Sequence, residues 1–467
     1  MIRRNAIVVS AVFFARISAS GQDKAAEAPD VSAPVSFSKD VAPIFVRKCV
    51  TCHGAEKSKG NFRLDTFEFL MKGGESKSAS VVPGRLDQSG LFGRLTTRDE
   101  DDRMPQKDDP LPAAQIALIE RWITEGAKFD GPDPKVPLVA LIPRVPHPDP
   151  PEVYRRPVPV MALAFSPDGR ELAIGGYYEI TLWHPAEGRI LRRIRNVAQR
   201  THSLDYSPDG SLLAAGGGSP GQLGEVALFN PTNGSPIHVL GTMPDVALTV
   251  SFSPDGARLA AGGADNAIHI YQAASRSEER VVQQHADWVM AVAWTRDGAR
   301  LASASRDRTA RVYDAKTGEL ATTYTGHDGP VFAVAFSDDG ERVFSAGRDK
   351  KIHVWDAKEG KNIGEIGGFE DDIFKLVVLS NSIFSCSADR KVRQHSIEKK
   401  ELVRTFSGHN DWVYSLALHE PSRRLASGGF DGEVRVWSLE DGRSLAAFIA
   451  APGYGVAASN GRASSRE

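Results

Sequence analysis

The strongest constraint on this chain is a phrase that keeps returning in its second half. Ala164-Phe165-Ser166-Pro167-Asp168-Gly169 comes back as Asp205-Tyr206-Ser207-Pro208-Asp209-Gly210 and as Ser251-Phe252-Ser253-Pro254-Asp255-Gly256. Ala293-Trp294-Thr295-Arg296-Asp297-Gly298 and Ala335-Phe336-Ser337-Asp338-Asp339-Gly340 follow, with weaker copies around Leu379 and His419. Measured from Ser166, Ser207, Ser253, Thr295, Ser337, Leu379 and His419, the spacings are 41, 46, 42, 42, 42 and 40 residues. About forty residues hold four short strands and their turns. A sheet that small cannot bury both of its faces alone, so consecutive copies must pack face to face and close radially. Seven copies predict an all-β ring of seven blades over residues 159–450.

Three copies also carry polar residues at a fixed spacing: His285, Ser303 and Asp307; His327, Ser345 and Asp349; His409, Ser427 and Asp431. Histidine and aspartate stand 22 residues apart each time, and Tyr313, Trp355 or Trp437 follows six residues later. The set looks like a hydrolytic triad, but a catalyst does not need three copies in separate blades. An aspartate in a tight turn that binds an imidazole, itself braced by serine and an aromatic ring, locks neighbouring strands. Period and polar set together resemble the WD40 repeat, which implies a seven-bladed β-propeller. Copies one, two, three and six lack parts of the set, and His395 stands where the aromatic residue is expected. Gly216–Gly224 lengthens one hairpin of the second blade and is a candidate binding loop, while Cys386 reads as a small core residue.

Ahead of the ring the chain offers different chemistry. Cys49-Val50-Thr51-Cys52-His53 has the spacing of a c-type haem attachment site. Each sulfur can add across a haem vinyl group, and the adjacent imidazole then lies beneath the iron. A thioredoxin-like redox pair would need a βαβ context, and structural zinc would need a second ligand pair. The chain has only three cysteines, the third being the distant Cys386. The reading is one covalent haem c, with thioethers at Cys49 and Cys52 and His53 as axial ligand.

Helical patterning flanks this motif. A short helix starting near Asp40, capped by Ser38 or Asp40, carries Val41, Ile44, Phe45 and Lys48 into it, and Phe37 shares the apolar face. A second helix, Pro112 to Gly126, presents Ile116, Ile119, Trp122 and Ile123 at helical spacing. Between His53 and Gly126 there is no other histidine, and the methionines are Met71 and Met104. Met104 lies in Arg103-Met104-Pro105, where proline stiffens the chain and suits a thioether held towards iron; gap-filling packing is its alternative role. Met71, in the amphipathic stretch Phe67 to Lys72, reads as core. The acidic run Asp99-Glu100-Asp101-Asp102 reads as a solvated loop, with a docking face for a basic partner as the other option.

Residues 37–127 resemble the planctomycete-type cytochrome c domain. The matching pieces are Cys49 to Gly54, Gly60-Asn61-Phe62-Arg63-Leu64-Asp65, Gly73-Gly74-Glu75-Ser76, Val82-Pro83-Gly84, Ser89-Gly90-Leu91, Arg103-Met104-Pro105, and Arg121-Trp122-Ile123 before Gly126-Ala127. The resemblance implies a small all-α, class I-like fold whose first and last helices cross beside the haem. It also implies thioethers at Cys49 and Cys52 and iron ligands at His53 and Met104. The family usually continues Met-Pro-Pro, and here Gln106 replaces the second proline.

The remaining segments frame these two domains. Arg3 and Arg4, the apolar run Ala6 to Phe14 and the small residues Ser18-Ala19-Ser20 predict an export signal over 1–20, and residues 21–36 a flexible lead-in. No segment reaches the roughly twenty apolar residues a membrane span needs. A formal charge of −2 makes no case for nucleic acid. Residues 128–158, with nine prolines, read as a semi-rigid spacer in which Val136 to Ile142 is one possible strand. Residues 451–467 read as a disordered tail. The expectation is an exported, periplasmic or otherwise extracytoplasmic electron carrier, not itself an enzyme, whose propeller docks a redox partner protein. The alternatives are a propeller oxidoreductase feeding its own haem, or a haem-based redox or gas-sensing scaffold.

Overall fold

The computed structural model describes residues 33–50, 52–54, 58–75, 79–106, 110–141, 146–221 and 223–454. The expected export signal, most of the lead-in and the tail past 454 lie outside them. Two compact units, residues 1–145 and 146–467, divide the chain; the first is helical and the second is built of strands.

The helical unit forms around a cluster of aromatic rings. A π-helical turn, Phe37–Val41, runs directly into α1, Ala42–Lys48. It begins earlier than the sequence suggests because Ser36 is the cap: its hydroxyl accepts from Lys39 N at 3.1 Å. Asp40 answers by accepting from Ser36 N at 2.9 Å. Two donors left over at a helix start are thereby satisfied reciprocally. Pro43 falls in the first turn of α1, where its missing N–H does no harm.

Three more helices complete this frame: α2, Phe67–Lys72, α3, Gly90–Thr96, and α4, Ala113–Thr124. The apolar stripe of α4 buries Ile119, Trp122 and Ile123. The chain then leaves through Gly126 at φ 100, a conformation that a side chain would oppose. Phe37 lies 5.2 Å from Trp122 and 4.9 Å from Phe67, and Phe45 meets Trp122 at 6.5 Å. The turn before α1 and α1 itself therefore meet α4 through rings.

The proline-rich segment behaves differently from a free spacer. Phe129 packs 4.6 Å from Phe67, and Leu138 and Leu141 are buried in the same core. Leu138–Leu141 forms one helical turn, α5, where a strand was possible. Glu68 N donates to Pro134 O at 2.9 Å and Leu138 N to Asp65 O at 2.8 Å, so this stretch is sewn to the approach of α2. Proline removes a backbone donor, yet it leaves the apolar residues between prolines free to reach a core.

Residues 146–157 belong instead to the second unit. Tyr154 Oη donates to buried Glu179 at 2.5 Å, Arg193 Nε donates to the same carboxylate at 2.5 Å, and Arg193 Nη2 donates to Pro151 O at 2.6 Å.

That second unit is a seven-bladed β-propeller, each blade four strands paired in strict chain order. In blade 1 these are β1, Leu163–Phe165, β2, Leu172–Gly175, β3, Ile180–His184, and β4, Arg189–Ile194. The recurring phrase is the turn between the first two strands. Ser166 Oγ donates to Asp168 Oδ1 at 2.6 Å and accepts from Glu171 N at 3.0 Å, while Gly169 takes φ 67. The same serine or threonine bond to aspartate recurs at Asp209, Asp255, Asp297 and Asp339, at 2.5–2.6 Å. Every blade contributes to the lining of the axial channel, from Met161 in the first to Tyr414 in the last.

The ring closes without a strand borrowed from its other end. The last blade keeps its own outer strand, β28, Ser444–Ile449. The seam between blades 7 and 1 is instead tied by Val160 N to Gly429 O at 3.0 Å, Ser415 Oγ to Val160 O at 2.8 Å and Arg424 Nη2 to Gly169 O at 2.8 Å. Trp183 stacks on Phe448 at 4.9 Å and seals its outer side.

Candidate functional site

The Cys49–His53 motif sits where α1 ends. Cys49 N and Val50 N both donate to Phe45 O, at 2.9 and 3.1 Å, so the helix tightens as it stops. Cys52 N at 3.1 Å and His53 N at 2.9 Å then donate to Cys49 O. This turn places Cys49, Cys52 and His53 at positions i, i+3 and i+4, which share one side of a helical turn. His53 Nδ1 lies 3.1 Å from Phe62 O. A carbonyl can only accept, so Nδ1 carries the proton and Nε2 presents its lone pair. That arrangement fixes tautomer and ring orientation as a metal-binding imidazole requires.

The cysteines fit thioether formation better than a reactive redox pair. Both are free and partly buried. Burial, with a smaller contribution from Cys52, pushes the Cys49 thiol up to about 12. A reactive redox pair rests on a depressed thiol pKa, the opposite shift.

Met104 packs against the same core as Cys49 and Val50, and so does Met71, so burial alone does not separate them. Their backbones do differ. Met104 N donates to Arg94 O at 2.9 Å, Arg94 Nη1 donates to Asp102 Oδ1 at 2.8 Å, and Arg103 N donates to Asp99 O at 2.9 Å. The acidic run is thus a hydrogen-bonded turn that pins the Met104 loop to α3. Arg103 Nε and Gln115 Oε1 are buried in this unit without a partner. Arg103 Nε, with no partner among the described residues, is a donor suited to a carboxylate such as a haem propionate.

In the propeller, the first two expected braces form. His285 joins Asp307 at 2.8 Å and Ser303 at 2.6 Å; His327 joins Asp349 at 2.6 Å and Ser345 at 2.7 Å. Trp355 Nε1 donates to Ser345 Oγ at 3.0 Å. The third differs: His409 keeps Ser427 at 2.7 Å, but its Nδ1 faces Glu433 at 3.3 Å instead of Asp431. Asp431 instead accepts from Glu433 N at 3.1 Å. The longer glutamate, two residues on, takes the place at the imidazole.

A further element of the brace escaped the sequence reading. Four residues after the turn aspartate stands a basic side chain that reaches back to it: His269 to Asp265 at 2.9 Å, His353 to Asp349 at 3.1 Å and Arg393 to Asp389 at 2.8 Å. The spacing of four from aspartate to basic residue was visible in the sequence. In blade 5 it gathers His327, Asp349 and His353, whose ligand atoms lie within 4.8 Å of one another. Hydrogen bonds account for each imidazole nitrogen there. Asn362 donates to Tyr324 Oη at 2.9 Å, which donates to His353 Nδ1 at 2.8 Å. The group therefore reads as a brace rather than a metal centre.

Comparison with known proteins matches these two units. Residues 49–108 match the family model described as Planctomycete cytochrome C. Residues 234–272, 276–314, 318–356 and 400–438 match the model of the WD domain, G-beta repeat. Among curated proteins, human THO complex subunit 6 is 34% identical over 70 residues, 15% of this chain and 20% of that protein. Mouse Transducin-like enhancer protein 2 is 36% identical over 62 residues, 13% of this chain and 8% of that protein. Protein groucho of Drosophila melanogaster is 36% identical over 66 residues, 14% and 9% of the two chains. The chain thus spans a fifth or less of these relatives, and the likeness is one of repeats. A domain similar to planctomycete-type cytochrome c precedes a seven-bladed WD40-type propeller.

Proposed function

We propose that this chain is an exported c-type cytochrome with one covalent haem, and that its propeller docks a redox partner. The observation that carries the reading is the turn after α1, which presents two thiols and an imidazole whose Nδ1 is already engaged by Phe62 O. Cys49 and Cys52 would hold the haem as thioethers, and His53 and Met104 would be its axial ligands. When bound, the haem supplies one-electron transfer. The protein's share is to orient His53, to hold Met104 through Arg94 and to offer Arg103 to a propionate.

Docking is supported by an exposed aromatic group on blade 7. Trp412 and Phe430, 45% and 46% exposed, lie 6.0 Å apart and both touch Tyr414. Solvent-facing aromatic rings of this kind are enriched at protein interfaces. Among the described residues no helix is long and apolar enough to cross a membrane. Extracytoplasmic placement rests on the leader-like residues 1–20 and on where bacteria attach haem c.

The full chain made with haem-attachment machinery should keep peroxidase stain through denaturing electrophoresis, and Cys52→Ala should weaken or abolish it. Met104→Ala should remove the weak sulfur-to-iron band of the oxidised protein while Met71→Ala keeps it. Unstained wild-type protein would end the cytochrome reading. A Trp412→Ala, Phe430→Ala double variant should lower the partner-driven haem reduction rate in exported-cell extract; an unchanged rate would remove that surface from docking.

A further inference from the structure

The axial channel of the propeller contains polar groups that no brace uses. Lys375, on the innermost strand of blade 6, lines it, and no described group accepts a hydrogen bond from its ammonium. His202, on the innermost strand of blade 2, lines the same space, and its Nε2 is buried without a partner. Around them the wall mixes Ser203 and Ser415 with apolar side chains. It includes Met161, Met290, Phe374 and Tyr414, the last two stacked at 4.5 Å. Together they line a partly open cavity of about 200 Å³.

An unsatisfied imidazole nitrogen such as His202 Nε2 is expensive to bury, and native proteins seldom leave one in place unless something else satisfies it. Burial lowers the pKa of Lys375, and lowers that of His202 to about 4, so the imidazole is neutral at pH 7; an anion bound beside Lys375 opposes that lowering and favours its ammonium form. Asp205 of blade 2 attracts Lys375 across the ring, but its Oδ2 is taken by Phe252 N at 2.8 Å and the two side chains form no direct ion pair. Since Asp205 brings negative charge of its own, the site favours a monoanion over a phosphate. The cavity is smaller than the roughly 300–1,000 Å³ of pockets for drug-sized ligands. That size suits a single ring better than a quinone cofactor or a second haem.

We propose that the axial channel binds a small aryl carboxylate, its carboxylate held by Lys375 and the Nε2–H tautomer of His202 and its ring laid against Phe374 and Tyr414. Aromatic stacking and a charge-assisted hydrogen bond are the two terms such a ligand satisfies at once.

Benzoate is the probe, titrated into the full haem-loaded chain labelled at the methionine methyls. Met161 and Met290 should shift with saturation, while Met71 and Met243 stay still. Lys375→Leu, which keeps an apolar side chain at the site, should bind benzoate about tenfold more weakly, the loss of one charge-assisted hydrogen bond. His202→Phe reads the same methyls and gives an independent loss should Lys375→Leu fail to fold. Still resonances at Met161 and Met290, or unchanged affinity in the variants, overturn the proposal.

Discussion

Blades 5 and 6 are built on one plan with two different polar interiors. Blade 5 runs through β17, Val331–Phe336, β18, Arg342–Gly347, β19, Ile352–Asp356, and β20, Asn362–Ile366. Blade 6 runs through β21, Ile373–Leu379, β22, Ser382–Ser387, β23, Lys391–Ser396, and β24, Leu402–Ser407. Their second and third strands pair in the same register, Ser345 opposite His353 and Ser385 opposite Arg393. In blade 5 an unbroken hydrogen-bonded chain links Trp355, Ser345, His327 and Asp349. In blade 6 Phe369 occupies the histidine's place, and Ser385 Oγ and His395 Nδ1 are buried without partners. Asp389 takes Arg393 instead, at 2.8 Å, and that guanidinium lies 4.8 Å over the Phe369 ring. Both blades form, so apolar burial and strand order make a blade. The polar chain adds stability and exact placement of the turn.

The largest effect should come from the apolar part. Trp355 is fully buried and stacks on Tyr324 at 5.1 Å. Trp355→Ala should cost about 3 to 5 kcal/mol by transfer and cavity terms together. His395→Ala, the matching change in blade 6, removes a smaller group with an unsatisfied nitrogen and should cost clearly less. Denaturant midpoints of the propeller's β-signal compare them. Equal losses would mean that the two interiors contribute alike.

Acid should weaken blade 6 through His395. Burial, helped by Arg393, lowers its pKa from an ordinary 6.5 to about 4. The unfolded chain then binds a proton that the folded chain refuses between those two values. The stability tied to a neutral His395 is therefore full above pH 6.5 and falls as pH drops towards 4, by an amount on the order of 3 kcal/mol. His202 and His327, also lowered, add slopes of the same sign. His395→Phe should flatten the stability curve between pH 6.5 and 4 by one histidine's share. A variant with the wild-type slope would show that His395 does not stay neutral.

What was legible in the sequence follows the same division. The Ser-Pro-Asp-Gly turns and the Cys49–His53 spacing are local geometry, where a few adjacent residues must be what they are. Ring closure and the fate of residues 128–157 were not legible. They depend on which distant core Leu138 or Tyr154 can reach, and a high proline count hides that. His202 and Lys375 were passed over because they sit in unremarkable apolar strands. Only the closing of the ring brings them to one channel. At the third brace the spacing of 22 pointed to Asp431, yet it could not reveal that Glu433 is long enough to displace it.

That displacement sets the smallest expected effect. Asp349 accepts from two imidazoles, His327 at 2.6 Å and His353 at 3.1 Å, in a buried setting. Burial alone would raise its pKa; those two hydrogen bonds win and hold it well below the usual carboxylate range. Asp349→Ala strands both imidazoles and should cost about 1 to 3 kcal/mol. Asp431 accepts from a backbone amide, Glu433 N at 3.1 Å, on a turn that other bonds also define. Asp431→Ala should cost at most about 1 kcal/mol, a single net hydrogen bond. Glu433→Ala should exceed it, since it removes the carboxylate facing His409 and the partner that Arg435 holds at 2.8 Å. Midpoints ordered Asp349→Ala, Glu433→Ala, Asp431→Ala from most to least damaging support the geometry. Asp431→Ala matching Asp349→Ala would place Asp431, and not Glu433, on His409.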